Sequence, residues 1–342
     1  MPKAADRVAL AETGLRVSQM ALGTAPLGNL LAEVPEDQAE ATFAAALDAG
    51  INFFDTAPFY GYGLAEERLG RALQGRDRSD FVVSTKVGRL IRPGHRSGAE
   101  IQKDGASFYR AKPGMMIRRD YSYDGVMRSF EESLNRLRMD YVDMLHIHDP
   151  DDHFELAVTQ AYPALAKLRE EGAIKGVSAG MNQWQMLSRF MDHGRFDSFL
   201  LAGRYTLLDH SGLPEFLPKS QQNGTAVIAG GVYNSGVLAD PRPGITFDYE
   251  PVQQDVLKRA LALKTICEAN DVDLKAAALQ FPLAHPAIPT VLTGVRSANE
   301  FVQNLALFET CIPDRLWMDL RSAGLLPDAA PTPDRAFGAS LQ

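Results

Sequence analysis

Residues 51–87, INFFDTAPFYGYGLAEERLGRALQGRDRSDFVVSTKV, read as strand, turn, helix and strand. The apolar run INFFD (51–55) stops at a carboxylate, and a tyrosine-rich turn follows. AEERLGRAL then carries helical spacing, and FVVSTKV (81–87) is β-rich. Asp55 and Tyr60 stand five residues apart where the strand INFFD gives way to the loop. That placement suits a strand end with a helix cap, and it equally suits half of an active site.

The same unit recurs on both sides. Upstream, EDQAEATFAAALDAG repeats Phe43, Ala46 and Leu47 at helical spacing and stops at Gly50, and MALGT (20–24) precedes it. Downstream, Val126, Phe130, Leu134 and Leu137 form one helical stripe ahead of YVDMLHIH (141–148). IKGVSAG (174–180), SFLLAG (198–203), TAVIAGG (225–231) and TVLTG (290–294) follow, each separated by helix-length sequence. Eight strands, each with room for a helix, predict an α/β fold of the (β/α)8 TIM-barrel type. A doubly wound sheet would show fewer strands and usually a glycine-rich first turn, and GTAPLGN is not G-x-G-x-x-G.

Two segments stand outside the alternation. RVALAETGLRVSQM (7–20) reads as a β-hairpin able to plug the bottom of a barrel. Residues 89–122 form a long polar, glycine-rich loop after the third strand. Such loops are usually functional or disordered, and on a barrel this one would lie on the C-terminal face, where active sites are built. No repeat or low-complexity linker marks a second domain, so residues 1–342 read as one.

Bulk properties narrow the partners. The chain has 342 residues, 45% hydrophobic and 23% charged, as expected of a soluble globular protein. A net charge of −8 without a lysine or arginine run argues against nucleic acid or an anionic membrane as partner. No stretch approaches the ~18 uninterrupted apolar residues of a membrane span. The N-terminus lacks the apolar core of a signal peptide. Cys267 and Cys311 are far apart and lack metal-ligand spacing, so no metal site is expected and a reducing cytoplasm fits. The oligomeric state is not legible.

On a barrel, Asp55, Lys86 and His148 end the second, third and fourth strands, with Tyr60 in the loop between the first two of these. In YVDMLHIHD, alternation turns Met144, His146 and His148 inward and leaves Leu145 and Ile147 for the helices. His148 would reach the mouth, while His146, one layer deeper, reads as a satisfied core histidine. Taken singly, Asp55 could cap a loop, Tyr60 could be a loop aromatic and Lys86 could reach solvent. Together they make a proton-transfer device. A phenol with its ordinary pKa of about 10 is a poor acid–base group near neutrality, and a neighbouring ammonium favours the phenolate. Asp55 can hold the lysine, and His148 can donate to a carbonyl oxygen.

FFDTAPFYGYGLAEERLG (53–70), STKVG (84–88), YVDMLHIHDP (141–150) and TGVRSANEFVQNL (293–305) resemble the aldo-keto reductase family, in this order and along the whole barrel. The resemblance implies a catalytic tetrad of Asp55, Tyr60, Lys86 and His148, with Tyr60 as general acid/base. It also implies a nicotinamide lying across the barrel mouth. Thr24 and Asp55 would border that cofactor, and Ser178 would help hold the carboxamide. The asparagine usual after that serine is Ala179 here, leaving Asn182 as an alternative. VIAGGVYNSGVLA (227–239) is similar to the segment that stacks a tyrosine on the nicotinamide, which implies contacts from Gly230, Val232, Asn234, Ser235 and Gly236. Gly230 occupies the tyrosine's own position, with Tyr233 as a substitute, and Ala202 replaces a common glutamine.

Gly294, Arg296, Ser297, Glu300, Gln303 and Asn304 match the motif around the adenosine phosphate. Glu300 stands where an arginine usually holds a 2′-phosphate, which favours NAD, while Arg296 leaves NADP open. DPDD (149–152) follows His148 where many aldehyde reductases of the family carry tryptophan. HIHDP, AGRYTLLD and GGVYNSGVLA resemble the sugar-oxidising branch, the D-threo-aldose (L-fucose type) 1-dehydrogenases and the related pyridoxal 4-dehydrogenases. The expected partner is therefore a small-molecule sugar or aldehyde. General carbonyl reduction and non-catalytic NAD(P)H sensing are the remaining alternatives.

Overall fold

The computed structural model describes residues 2–248 and 250–333. Eight parallel strands close into a barrel: β1 (Met20–Gly23), β2 (Phe53–Asp55), β3 (Val82–Val87), β4 (Met144–His148), β5 (Gly176–Met181), β6 (Ser198–Ala202), β7 (Ala226–Gly230) and β8 (Thr290–Gly294). They pair in chain order, and β8 returns to β1 with Val291 opposite Met20. Every strand falls within the segment read from the sequence, except that β5 runs one residue further, to Met181.

Alternation along the strands divides the apolar residues between two cores. In β4, Leu145 and Ile147 join the large cluster between barrel and helices, whereas Met144 joins the small cluster inside the barrel. The outer layer comprises α1 (Glu36–Asp48), α2 (Leu64–Leu73), α3 (Tyr123–Leu137), α4 (Tyr162–Glu170), α5 (Trp184–Phe190), α6 (Phe216–Gln222), α7 (Gln254–Ala269), α8 (Leu274–Gln280), α9 (Ala298–Phe308) and α10 (Asp314–Ser322). The stripe expected on α3 is the one buried: Val126, Phe130 and Leu137 face the core, and Leu134 packs at its edge. Ser122 starts that helix by accepting from Gly125 N at 3.1 Å.

The N-terminal hairpin forms as expected, with Arg7–Ala9 antiparallel to Arg16–Ser18. Leu10, Leu15 and Val17 then pack against Phe53, Val82, Met144 and Ala226, the first residues of their strands. Each fully buried aliphatic side chain of this kind is worth about 1.5–3 kcal/mol, so the plug is a firm floor. The chemistry is left to the other end.

The loop of residues 89–122 is ordered. Arg89–Pro93 and Met115–Arg119 form an antiparallel ribbon, and the tip between them is gathered around Arg96. The Arg96 guanidinium donates to the carbonyls of Tyr109 at 3.0 Å, Lys112 at 2.6 Å, Met115 at 2.9 Å and Ala111, and to Ser107 Oγ at 2.8 Å. It also stands 3.8 Å from the centre of the Tyr62 ring. Leu31 N donates to Phe108 O and Arg110 N to Asn29 O, which stitches the tip to the loop after β1. One guanidinium thus satisfies the carbonyls that a polar loop would otherwise turn to water.

Candidate active site

Register sets the height of each side chain at the mouth. Asp55 pairs with Ser84, Lys86 with His146 and His148 with Gly180. Lys86 lies two residues beyond Ser84, so both point inward. Ser84 Oγ donates to Asp55 Oδ1 at 2.7 Å, and Lys86 Nζ donates to Asp55 Oδ2 at 2.5 Å and to Thr56 O at 2.9 Å. The lysine and aspartate side chains are only 2% and 1% exposed. Two charges so deeply buried persist because each has a partner and further hydrogen bonds.

Tyr60 reaches the same spot from the loop after β2. The loop turns back through Gly61 (φ 67°) and Gly63 (φ 89°), conformations that favour glycine. Lys86 Nζ lies 4.9 Å from the centre of the Tyr60 ring, and the His148 ring stands edge-on to it at 5.9 Å. Asp55, Tyr60, Lys86 and His148 therefore converge, as the sequence led one to expect. Tyr109, from the loop after β3, adds a wall 6.1 Å from Tyr60 and 5.0 Å from Phe59.

Both histidines of β4 are buried and held neutral. Burial is the main cause for each. At His146 the Lys86 charge adds to it, Asp55 opposes it, and the pKa falls to about 3. At His148, Arg89, Lys86 and His146 press the same way, and its pKa falls well below 6.5. The reading of His146 as a satisfied core histidine needs correction. It is fully buried, yet neither ring nitrogen finds a hydrogen-bond partner among the described residues; Nε2 comes to 3.5 Å from Asp55 Oδ1. Its register partners on the neighbouring strands are Lys86 and Ser178, both already engaged, Lys86 with Asp55 and Ser178 with Ser198.

Beside His148 lies an ion pair that strand periodicity does not reveal. Arg89 Nη2 donates to Asp149 Oδ2 at 2.6 Å, and that same oxygen is 3.5 Å from His148 Nε2. Asp149 has a left-handed backbone (φ 39°), and the Tyr121 hydroxyl braces the turn, 2.6 Å from His148 O and 2.8 Å from Asp149 O. Arg89, Tyr109 and Tyr121 all come from the loop of residues 89–122. Sequence carried no signal for their roles, whereas Ser84 could have been found from its two-residue spacing to Lys86.

The residues matched to a cofactor divide into two groups. Gly230 ends β7 and Thr24 directly follows β1, whereas Ser178 lies mid-strand in β5, opposite His146. Thr24 N donates to Asp55 O and Thr56 O accepts from Lys86 Nζ, while Thr24 Oγ1 and Thr56 Oγ1 are buried with no hydrogen-bond partner among the described residues. A carboxamide carries both the donors and the acceptor that such hydroxyls need. Ser178 Oγ accepts from Ser198 Oγ at 3.1 Å. The site therefore fits a nicotinamide. Farther out, Gly294 ends β8, and Ser297 caps α9 by accepting from Glu300 N. Glu300 Oε2 in turn accepts from Arg296 N at 2.8 Å, one residue before the cap, so the two side chains close the helix start much as a capping box does. Arg296 donates to Leu30 O, and Gln303 is exposed.

Several side chains in the second group are engaged with the protein itself. Asn234 accepts from Thr206 Oγ1 at 2.6 Å and donates to Gly203 O, fastening the loop after β7 to the loop after β6. Val232 is buried between them, and Ser235 Oγ accepts from Asp248 N. Gly236 has φ 98°. Tyr233, weighed as a stacking residue, donates instead to Asn304 Oδ1 at 2.9 Å, which ties it to α9. Asn182 donates to Ala202 O.

A closed eight-strand barrel with these groups at its C-terminal rim defines an oxidoreductase of one class. Residues 19–324 match the Aldo/keto reductase family, and the chain belongs to it. Family membership implies a nicotinamide cofactor and a small-molecule substrate. The chain is 42% identical to a pyridoxal 4-dehydrogenase of Microbacterium luteolum, over 95% of this chain and 99% of that protein. It is 38% identical to a D-threo-aldose 1-dehydrogenase of a Pseudomonas species, over 93% and 98%. Its fold is that of a glycerol dehydrogenase from Gluconobacter oxydans, with a TM-score of 0.73 at 24% identity over 96% and 98% of the two chains. No helix among the described residues is long and apolar enough to cross a membrane.

Proposed function

We propose that this chain is an NAD-dependent aldose 1-dehydrogenase that oxidises the cyclic hemiacetal of a D-threo-aldose to a lactone. The observation that carries the reading is the convergence of Tyr60, the buried Lys86–Asp55 pair and a neutral His148 at one barrel mouth. Asp55, Tyr60, Lys86 and His148 are the catalytic tetrad. A bound nicotinamide supplies the hydride acceptor. Tyr60, as phenolate, takes the proton of the anomeric hydroxyl, and the Lys86 ammonium beneath its ring favours that phenolate. Asp55 keeps the ammonium in place. His148 donates from Nε2 to the same substrate oxygen and orients it; a neutral imidazole does this without adding charge.

Thr24 and Ser178 hold the carboxamide end of the cofactor, and the rim from Gly294 to Asn304 holds the adenosine end. Glu300 at the start of α9 favours NAD over NADP by repelling a 2′-phosphate. Both cysteines are free, which suits a reducing cytoplasm.

Pyridoxal is the second reading, favoured by the higher identity to a pyridoxal 4-dehydrogenase. Pyridoxal also closes to a cyclic hemiacetal, so the same residues would act in the same roles. A panel of L-fucose, D-arabinose and pyridoxal, each with NAD and NADP, tests the proposal. The expected result is NADH formation with an aldose, abolished in Tyr60→Phe. Full activity of Tyr60→Phe would overturn the mechanism, and turnover of pyridoxal alone would favour the second reading.

A further inference from the structure

We propose that Arg89 and Asp149 are the specificity pair of this site, reading a second hydroxyl on the carbon next to the reacting one. The inference rests on the aldose reading of the same mouth. Arg89 is only 6% exposed, yet its Nε has no hydrogen-bond partner among the described residues. Its guanidinium lies 4.8 Å from the centre of the Phe59 ring. A guanidinium buried with one donor unused is costly. A floor of the barrel mouth built only for packing would place an apolar side chain there.

Asp149 supplies the complementary half. Its side chain is 29% exposed, and Oδ2 is shared between Arg89 Nη2 and the neighbourhood of His148 Nε2. His148 Nε2 is the group assigned to the reacting oxygen. An acceptor 3.5 Å from it is within hydrogen-bond reach of the neighbouring oxygen of a sugar whose reacting oxygen is bound to Nε2. The bound C2 hydroxyl would donate to Asp149 and accept from Arg89. The pair therefore discriminates sugars by the presence of that hydroxyl, as sites with buried polar groups reject an analogue that leaves them unpaired.

The pair is also well fixed. Arg89 begins the ribbon Arg89–Pro93, and the Tyr121 hydroxyl holds the carbonyls on both sides of the His148–Asp149 bond. This geometry makes a displaced hydroxyl costly, which is what specificity requires.

The test compares D-arabinose with 2-deoxy-D-ribose, which differ only by the C2 hydroxyl, in the wild type, Arg89→Met, Arg89→Lys and Asp149→Asn. The wild type should prefer D-arabinose by about 10- to 100-fold in kcat/KM, the range of one hydrogen bond to a charged group. Arg89→Met and Asp149→Asn should bring that ratio close to one, mainly by losing the D-arabinose reaction. Arg89→Lys should restore part of it. A merely structural role would lower both sugars alike and leave the ratio unchanged, which overturns the proposal while the aldose reading stands. If the wild type oxidises neither sugar, the aldose reading falls and the assignment falls with it.

Discussion

Gly28 packs directly against the backbone of Tyr60: a methyl group on Gly28 would lie 2.7 Å from the Tyr60 carbonyl carbon and 2.9 Å from Gly61 N. The loop after β1 thereby sets the height of the phenol. Gly28→Ala should push Tyr60 away from Lys86 and His148 and lower kcat at least tenfold, since displacements near 1 Å at a reacting group cost on that order or more. Steady-state kinetics beside a melting curve checks it. A variant with wild-type kcat would mean that the loop yields without moving the phenol.

The Lys86 ammonium beneath Tyr60 makes a pH prediction. Oxidation needs the phenolate, so the rate rises with pH as the phenol ionises. Without the ammonium, ionisation needs higher pH, and the rising limb of kcat should move upward in Lys86→Met. Buried Asp55 then lacks its partner, and a paired substitution with Asp55→Asn should recover stability but not the profile. An unshifted limb in both variants would exclude the lysine from the proton-transfer step.

Four histidines, His146, His148 and His285 buried and His210 partly buried, weaken the fold in acid, and His148 is held well below 6.5. His146 is held at about 3, and His210 and His285 at about 4, in each case chiefly by burial. An unfolded histidine titrates near 6.5. Between these values the unfolded chain binds a proton that the folded chain refuses. Stability therefore falls as pH drops below about 6.5, by up to about 1.4 kcal/mol per pH unit for a fully buried histidine such as His146. Urea midpoints at pH 7 and pH 5 should show the fall, and His146→Gln should make it shallower.

Glu300 separates charge from capping. Glu300→Gln keeps the side-chain acceptor for Arg296 N and removes the negative charge. The expected outcome is a rise in kcat/KM with NADP of up to about fivefold, in line with one exposed charge interaction of at most ~1 kcal/mol, and an unchanged melting temperature. Unchanged NADP kinetics would show that the carboxylate faces away from the 2′-position.

The barrel and the inward direction of Asp55, Lys86 and His148 were legible in the chain because they follow local periodicities, and Tyr60 because it stands five residues past a strand end. Strand alternation in YVDMLHIH turned His148 inward, and the eight-fold recurrence of strand and helix closed the ring. His146 shows the limit of the same rule: its direction was right, but whether its nitrogens meet a partner depends on Asp55 and Lys86 on other strands. The spacing of Ser297 and Glu300 fits a helix start as well as a cofactor contact, and the fold shows the carboxylate bonded to Arg296 N.

What only the tertiary structure decided lies in the contacts between loops. Arg96 gathers carbonyls from residues 109–115, Arg89 meets Asp149 across 60 positions of chain, and Gly28 supports Tyr60 from another loop. None of these follows a repeat, because a loop's conformation is set by the groups it must satisfy rather than by its own spacing. By itself the sequence determined a barrel and the four side chains that meet at its mouth. The fold alone decided what stands around that site, because long-range packing brings an arginine and an aspartate together without leaving a pattern in either segment.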